Sequence, residues 1–209
     1  MNRRHFMVGT LGAGALLVAG AALLRPADRG SPYSEYFRQL NQQLKAHGPM
    51  RPVLLIDLDR LDHNIDIVMQ SVQRGGKHLR LVEKSLPAPG LLAYIAKRAG
   101  TQRLMSFHQP FLNHDAQVFP DADILLGKPL PVRSAELFYQ GHQGPFDPAR
   151  QLQWLLDTPQ RLQQYLALAQ GLGTRLRINI ELDVGLHRGG ISDNTVLGQM
   201  LGLISAHPR

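Results

Sequence analysis

The side chains able to do chemistry lie in two short stretches of this chain. In the first, Leu79-Arg-Leu-Val-Glu-Lys84-Ser-Leu-Pro-Ala-Pro89, an apolar run ends in Lys84. A lysine amine held where water is scarce gives up its proton more readily and can form an imine with a carbonyl compound. The plain alternative is a solvated loop lysine. The second stretch reads Ile178-Asn-Ile-Glu-Leu-Asp-Val-Gly-Leu-His-Arg-Gly-Gly-Ile191. Glu181 and Asp183 are two apart, so in a strand they share a face, and an interior pair of carboxylates needs a cation. Arg188 is the nearby one, a permanently charged fork that carboxylates can clamp while it donates to an anionic oxygen of a ligand. Gly185, Gly189 and Gly190 permit tight turns and close backbone approach. A polar turn with a surface ion pair of little energetic weight is the plain reading of the same residues. His108 and His187 are placed to serve as acid or base, and the plainer reading of each is a polar rim residue.

The elements that must position these groups alternate along the chain. Short apolar runs at 53–58, 79–83, 103–107, 124–127, 154–157 and 176–183 predict strands. Each is followed by an amphipathic stretch, at 61–73, 90–98, 111–118, 133–139, 159–169 and 194–205. Thr158-Pro159 marks one helix start with a capping hydroxyl and a first-turn proline, and Ser192, Asp193 and Asn194 offer caps for another. A short helical pattern over 33–44 precedes the first unit as an arm. Repeated strand-helix units imply an α/β fold with a parallel sheet covered by helices. A doubly wound nucleotide-binding sheet would carry a Gly-rich turn after its first strand, whereas residues 57–63 contain no glycine. The (β/α)8 TIM-type barrel needs no such turn and places its active groups at the carboxyl ends of the strands. Asp57 and Asp59, Lys84, Phe107 and His108, Lys128, Asp157, and Asp183 with His187 and Arg188 fall there.

Taken in order, IDLDRLDHNI, LRLVEKS and INIELDVGLHRGGI resemble the amino-terminal barrel of fold-type III pyridoxal-phosphate enzymes, which include alanine racemase, D-threonine aldolase and D-serine dehydratase. The likeness runs from Pro52 to about Ser205. It implies that Lys84 holds pyridoxal phosphate as an internal aldimine and exchanges protons at the substrate α carbon. It implies that Arg188 contacts the cofactor's phenolic oxygen, with Glu181 and Asp183 to orient it. ELDVGLHRGG is nearest to the D-threonine aldolase branch. That branch carries Lys-Thr-His-Lys where this chain has Lys84-Ser85-Leu86-Pro87, and the racemases place a phosphate-binding tyrosine where this chain has Ala88. The implied activity is retro-aldol cleavage or racemisation of a small amino acid. The alternatives are a non-catalytic barrel that binds the cofactor or an amino acid, or an inactive remnant. No metal ligands are assigned, and a divalent metal enters only with the carboxyl-terminal domain of the aldolase branch. A homodimer is implied for the full-length form.

The remaining features set compartment and extent. Arg3 and Arg4 precede an apolar stretch at 8–24, the three-part pattern of an export signal, here similar to the twin-arginine class, so 1–27 reads as a signal handled by that export machinery and the periplasm as the destination. The lesser reading is an uncleaved membrane anchor. Residues 28–51 form the arm and 52–209 the barrel portion. The formal net charge of +7 falls to +4 without Arg3, Arg4 and Arg25, too little to suggest nucleic acid as a partner. The absence of cysteine excludes disulfides, thiol nucleophiles and cysteine zinc sites. Six units stand where a closed barrel has eight in about 250 residues, so 209 residues are expected to hold a truncated barrel.

Overall fold

The computed structural model describes residues 30–85 and 87–207. The segment read as an export signal lies outside them. The chain divides into two compact units, Met1–Leu55 and Ile56–Arg209. In the first, α1 (Glu35–His47) begins with Glu35 accepting from Gln39 Nε2 at 3.0 Å, and none of its side chains is buried.

The second unit is a run of helices and strands: α2 (Leu58–Arg74), β1 (Leu81–Val82), α3 (Pro89–Ala99), β2 (Arg103–Ser106), α4 (Gln109–Val118), β3 (Asp123–Leu126), α5 (Val132–Gly141), α6 (Pro148–Gln151), β4 (Leu152–Leu156), α7 (Pro159–Leu172), β5 (Arg177–Ile180) and α8 (Asn194–Ala206). All four strand pairs are parallel and the sheet order is β1-β2-β3-β4-β5. A doubly wound sheet reverses its strand order at a switch point. This sheet never does, so each crossover returns to the next position, as in the arc of a barrel.

The caps form where hydroxyl and carboxylate side chains precede the helical runs. Thr158 accepts from Arg161 N at 3.2 Å ahead of Pro159, and Asp193 accepts from Thr195 N at 2.6 Å. Alternation then sorts the strand residues. Leu104, Ile124, Leu126, Leu152, Trp154 and Leu156 are buried against Leu112, Phe138, Leu162, Tyr165 and Met200 of the helix layer. Each large apolar side chain removed from water there contributes about 1.5–3 kcal/mol. Trp154 packs edge-on to Tyr165 at 5.5 Å and to Phe138 at 5.9 Å.

The intervening residues carry a polar network on the other face. Arg80 Nη2 lies 2.7 Å from Asp123 Oδ2, Gln153 donates to Asp123 Oδ1 at 2.6 Å, and Asn179 donates to Gln153 at 3.2 Å. Arg177 approaches Asp123 at 3.6 Å. Desolvation pushes the Asp123 carboxyl up, but hydrogen bonds from Arg80 and Gln153 and the charges of both arginines outweigh it and hold the group below its ordinary range. Asp123 and Arg177 open their strands, so this network sits at the amino ends.

One predicted strand does not form. Residues 53–57 lie outside the sheet, α2 already starts at Leu58, and Leu54 is 83% exposed. An apolar run becomes a strand only where a partner takes its N–H and C=O groups, and β1 pairs with β2 alone. Asp57 instead caps α2 by accepting from Arg60 N at 3.0 Å.

Candidate functional site

Parallel strands deliver all their carboxyl ends to one side, and the residues singled out in the sequence follow those ends. Lys84 stands two positions beyond β1, exposed, with no hydrogen bond or ion pair from its side chain among the described residues. Its Nζ lies 4.8 Å from the centroid of the Phe107 ring. Phe107 follows β2, and Gly127, which follows β3, donates its N–H to Ser106 O at 2.9 Å. His108 is exposed at the N-cap of α4, edge-on to Phe111 at 5.3 Å. Lys128 is exposed, and Asp157 lies 4.0 Å from Arg161, whose Nη1 donates to Leu130 O at 3.0 Å.

After β5 the chain makes a closed turn. Glu181 N donates to Leu156 O at 2.8 Å, Ile191 N to Glu181 O at 2.8 Å, and Asp183 N to Ile191 O at 3.1 Å. Inside it Asp183 accepts from His187 N at 3.0 Å and Gly185 N at 3.3 Å, and its Oδ2 lies 2.8 Å from His187 Nδ1. The His187 side chain and then the two N–H groups hold the Asp183 carboxyl below its ordinary range. His187 has φ 51°, a left-handed backbone rare outside glycine. Gly190 has φ 97°, and a Cβ there would lie 2.8 Å from Asp183 N. Asp183 therefore engages His187 rather than Arg188. Arg188 is exposed, with no side-chain hydrogen bond or ion pair among the described residues.

Lys84 and the Glu181–Arg188 turn are not brought into contact. β1 and β5 are opposite edges of the sheet, four interstrand steps of about 4.8 Å apart measured along it. A group touching both must lie across the mouth.

The sequence reading missed a polar cluster behind Lys84. Glu83 at 6% exposure, Ser106 at 0% and Asp115 at 0% are buried on the helix side of the sheet. Glu83 Oε2, Ser106 Oγ and both Asp115 oxygens meet no partner in full hydrogen-bond geometry. Burial first, then the hydrogen bond and charge of Glu83, push Asp115 up to about 8, while Ser106 works the other way. Two ionised carboxylates would have no donor between them, and one proton shared by Glu83 and Asp115 supplies it. The available signal was a carboxylate on the apolar face of α4, beside Leu112 and Ala116.

Among the described residues no group of three or more His, Asp or Glu could hold a metal ion, and no helix is long and apolar enough to cross a membrane.

A parallel strand-helix layer in chain order, with a lysine and an arginine unpaired among the described residues beyond its strand ends, defines an α/β protein whose sheet is consistent with part of a TIM-type barrel. Residues 56–209 match the family model described as alanine racemase, N-terminal domain, and the chain belongs to that family. Among solved structures, a mutant of D-threo-3-hydroxyaspartate dehydratase matches with a TM-score of 0.63 at 20% identity, over 79% of this chain and 43% of that one. D-threonine aldolase from Filomicrobium marinum matches at 0.61 and 16% identity, over 75% and 40%. An alanine racemase-like protein from Idiomarina loihiensis matches at 0.59 and 28% identity, over 76% and 42%. The chain thus spans about two fifths of the length of these structures. A comparison with curated protein sequences found no match.

Proposed function

We propose that this chain carries the cofactor lysine of a pyridoxal-phosphate-dependent enzyme acting at the α carbon of a small amino acid, by retro-aldol cleavage or racemisation. The observation that carries the reading is the place of Lys84: an exposed amine without a carboxylate partner among the described residues, beyond the end of β1, in a chain of the alanine racemase N-terminal family. The donor set suits the cofactor. Lys84 offers a primary amine to an aldehyde, and Arg188 offers an unpaired guanidinium to a phenolic oxygen. When bound, pyridoxal phosphate supplies the conjugated ring that takes up the electron pair left at the α carbon.

The chain's own residues do the rest. Lys84, as a free base, accepts or returns the proton at that carbon. Arg188 keeps an anionic oxygen in place, and the turn knotted on Asp183 sets where Arg188 starts. His108 and His187 stand on the same side of the sheet as further acid or base groups. Borohydride treatment of protein incubated with pyridoxal phosphate should leave a stable adduct on Lys84, located by peptide mass spectrometry. An adduct that persists unchanged in Lys84→Ala rules the assignment out. Aldehyde release marks cleavage, and loss of optical activity marks racemisation. Twin-arginine export to the periplasm belongs to the same proposal, checked by cell fractionation of an Arg3→Lys, Arg4→Lys variant.

A further inference from the structure

We infer that Phe107, seated on Gly127, is a positioning residue for Lys84: its ring face holds the ammonium as a cation at the strand-end mouth, and a carbonyl ligand must draw the amine off the ring. This deepens the cofactor reading and rests on it.

Three observations converge. The Lys84 ammonium has no carboxylate partner among the described residues, and its neighbour Glu83 is turned away into the helix layer. The Phe107 ring, 4.8 Å away, is what faces it. That ring is itself held. A Cβ at position 127 would fall 2.2, 2.4 and 2.8 Å from three carbons of the Phe107 ring. Gly127 is not among the glycines with a left-handed backbone, so glycine is required there by the ring and not by the turn. Consecutive strand ends thus present a lysine, an aromatic face and an absent side chain that lets the face lie flat.

The chemistry follows from the ring's quadrupole, which attracts an ammonium and not a neutral amine. Phe107 therefore holds the ammonium by its ring face, whereas attack on a carbonyl requires the free amine to leave the ring. Storage holds the side chain against the ring at the mouth and orients it from a fixed point.

The experiment needs no cofactor. Purified protein is labelled with trace acetic anhydride between pH 7 and 10, and Lys84 acetylation is read by mass spectrometry against the exposed Lys97 and Lys128. Phe107→Leu should speed Lys84 labelling about two- to fivefold near pH 8, the scale of an exposed cation–π contact. Phe107→Tyr should label like the wild type, and Gly127→Ala, which displaces the ring, should label like Phe107→Leu. Pentafluorophenylalanine at position 107 keeps the shape and reverses the quadrupole, so it should reproduce the acceleration even if Phe107→Leu does not fold. Equal labelling of Lys84 in wild type and the fluorinated protein overturns the inference. Ring-dependent labelling without a borohydride-trapped cofactor on Lys84 overturns the cofactor reading and leaves the lysine-ring contact standing.

Discussion

The Asp183 carboxylate binds the His187 residue twice, through the backbone N–H at 3.0 Å and the ring Nδ1 at 2.8 Å. Both contacts close the same turn, and His187 pays for them with a positive φ. The carboxylate is mostly covered, whereas the imidazole is 80% exposed. Asp183→Ala should leave the five-stranded sheet intact and loosen the turn. Faster hydrogen exchange at the amides of Gly185 and His187 is the readout, with cofactor affinity reduced in parallel because Arg188 starts from a less defined position.

Asp115 predicts a pH dependence of stability. Its folded-state pKa is raised to about 8 from the ordinary carboxylate value, so the folded protein holds a proton that the unfolded chain has lost. Stability from this group is full below about pH 4 and declines as pH rises towards 8, by at most about 1.4 kcal/mol per unit. Above that it is flat. Denaturant midpoints measured from pH 5 to 9 should show the slope in wild type and a shallower one in Asp115→Asn. Equal slopes would mean that Asp115 is ionised throughout.

At Gly190 a side chain has no room. The Cβ of Gly190→Ala would meet backbone atoms of Asp183, Leu182 and Glu181 at 2.8–3.0 Å, or the glycine-type φ of 97° would have to change. A cost of about 2 kcal/mol or more is expected from strain of this kind. Gly189→Ala, whose Cβ would come no nearer than 3.9 Å to Glu181, serves as the control. Thermal unfolding should separate the two.

The network at the amino ends should affect stability without affecting the mouth. Asp123→Ala leaves Arg80 and Arg177 facing each other without their shared carboxylate, at a cost of about 1–3 kcal/mol. Borohydride trapping at Lys84 in the folded variant should be unchanged. A loss of trapping at full folding would tie the two ends together.

Much of this architecture was legible because local rules and global fold agree. Thr158-Pro159 and the Ser192 to Asn194 run read as helix starts, and Thr158 and Asp193 cap those helices. The 103–107, 124–127 and 154–157 runs became β2, β3 and β4 within two residues at each end. The 53–58 run failed because hydrophobicity states a need for burial, whereas a strand also needs a ladder partner, which spacing cannot reveal. Glu83 and Asp115 went unread for a different reason: they are 32 positions apart, and only the packing of α4 on the sheet puts their carboxyls together. Lys84 and Arg188 could be placed at strand ends, but their separation depends on sheet order, a property of the whole.

That sheet order has a consequence for how the protein acquires its shape. Since every strand's partner in space is its neighbour in sequence, each ladder closes a segment of roughly 20 to 30 residues. Among the described strands no pairing waits for a distant part of the chain, so assembly can advance stepwise from any interior pair. Damage near one border would then slow the last step and spare the earlier ones.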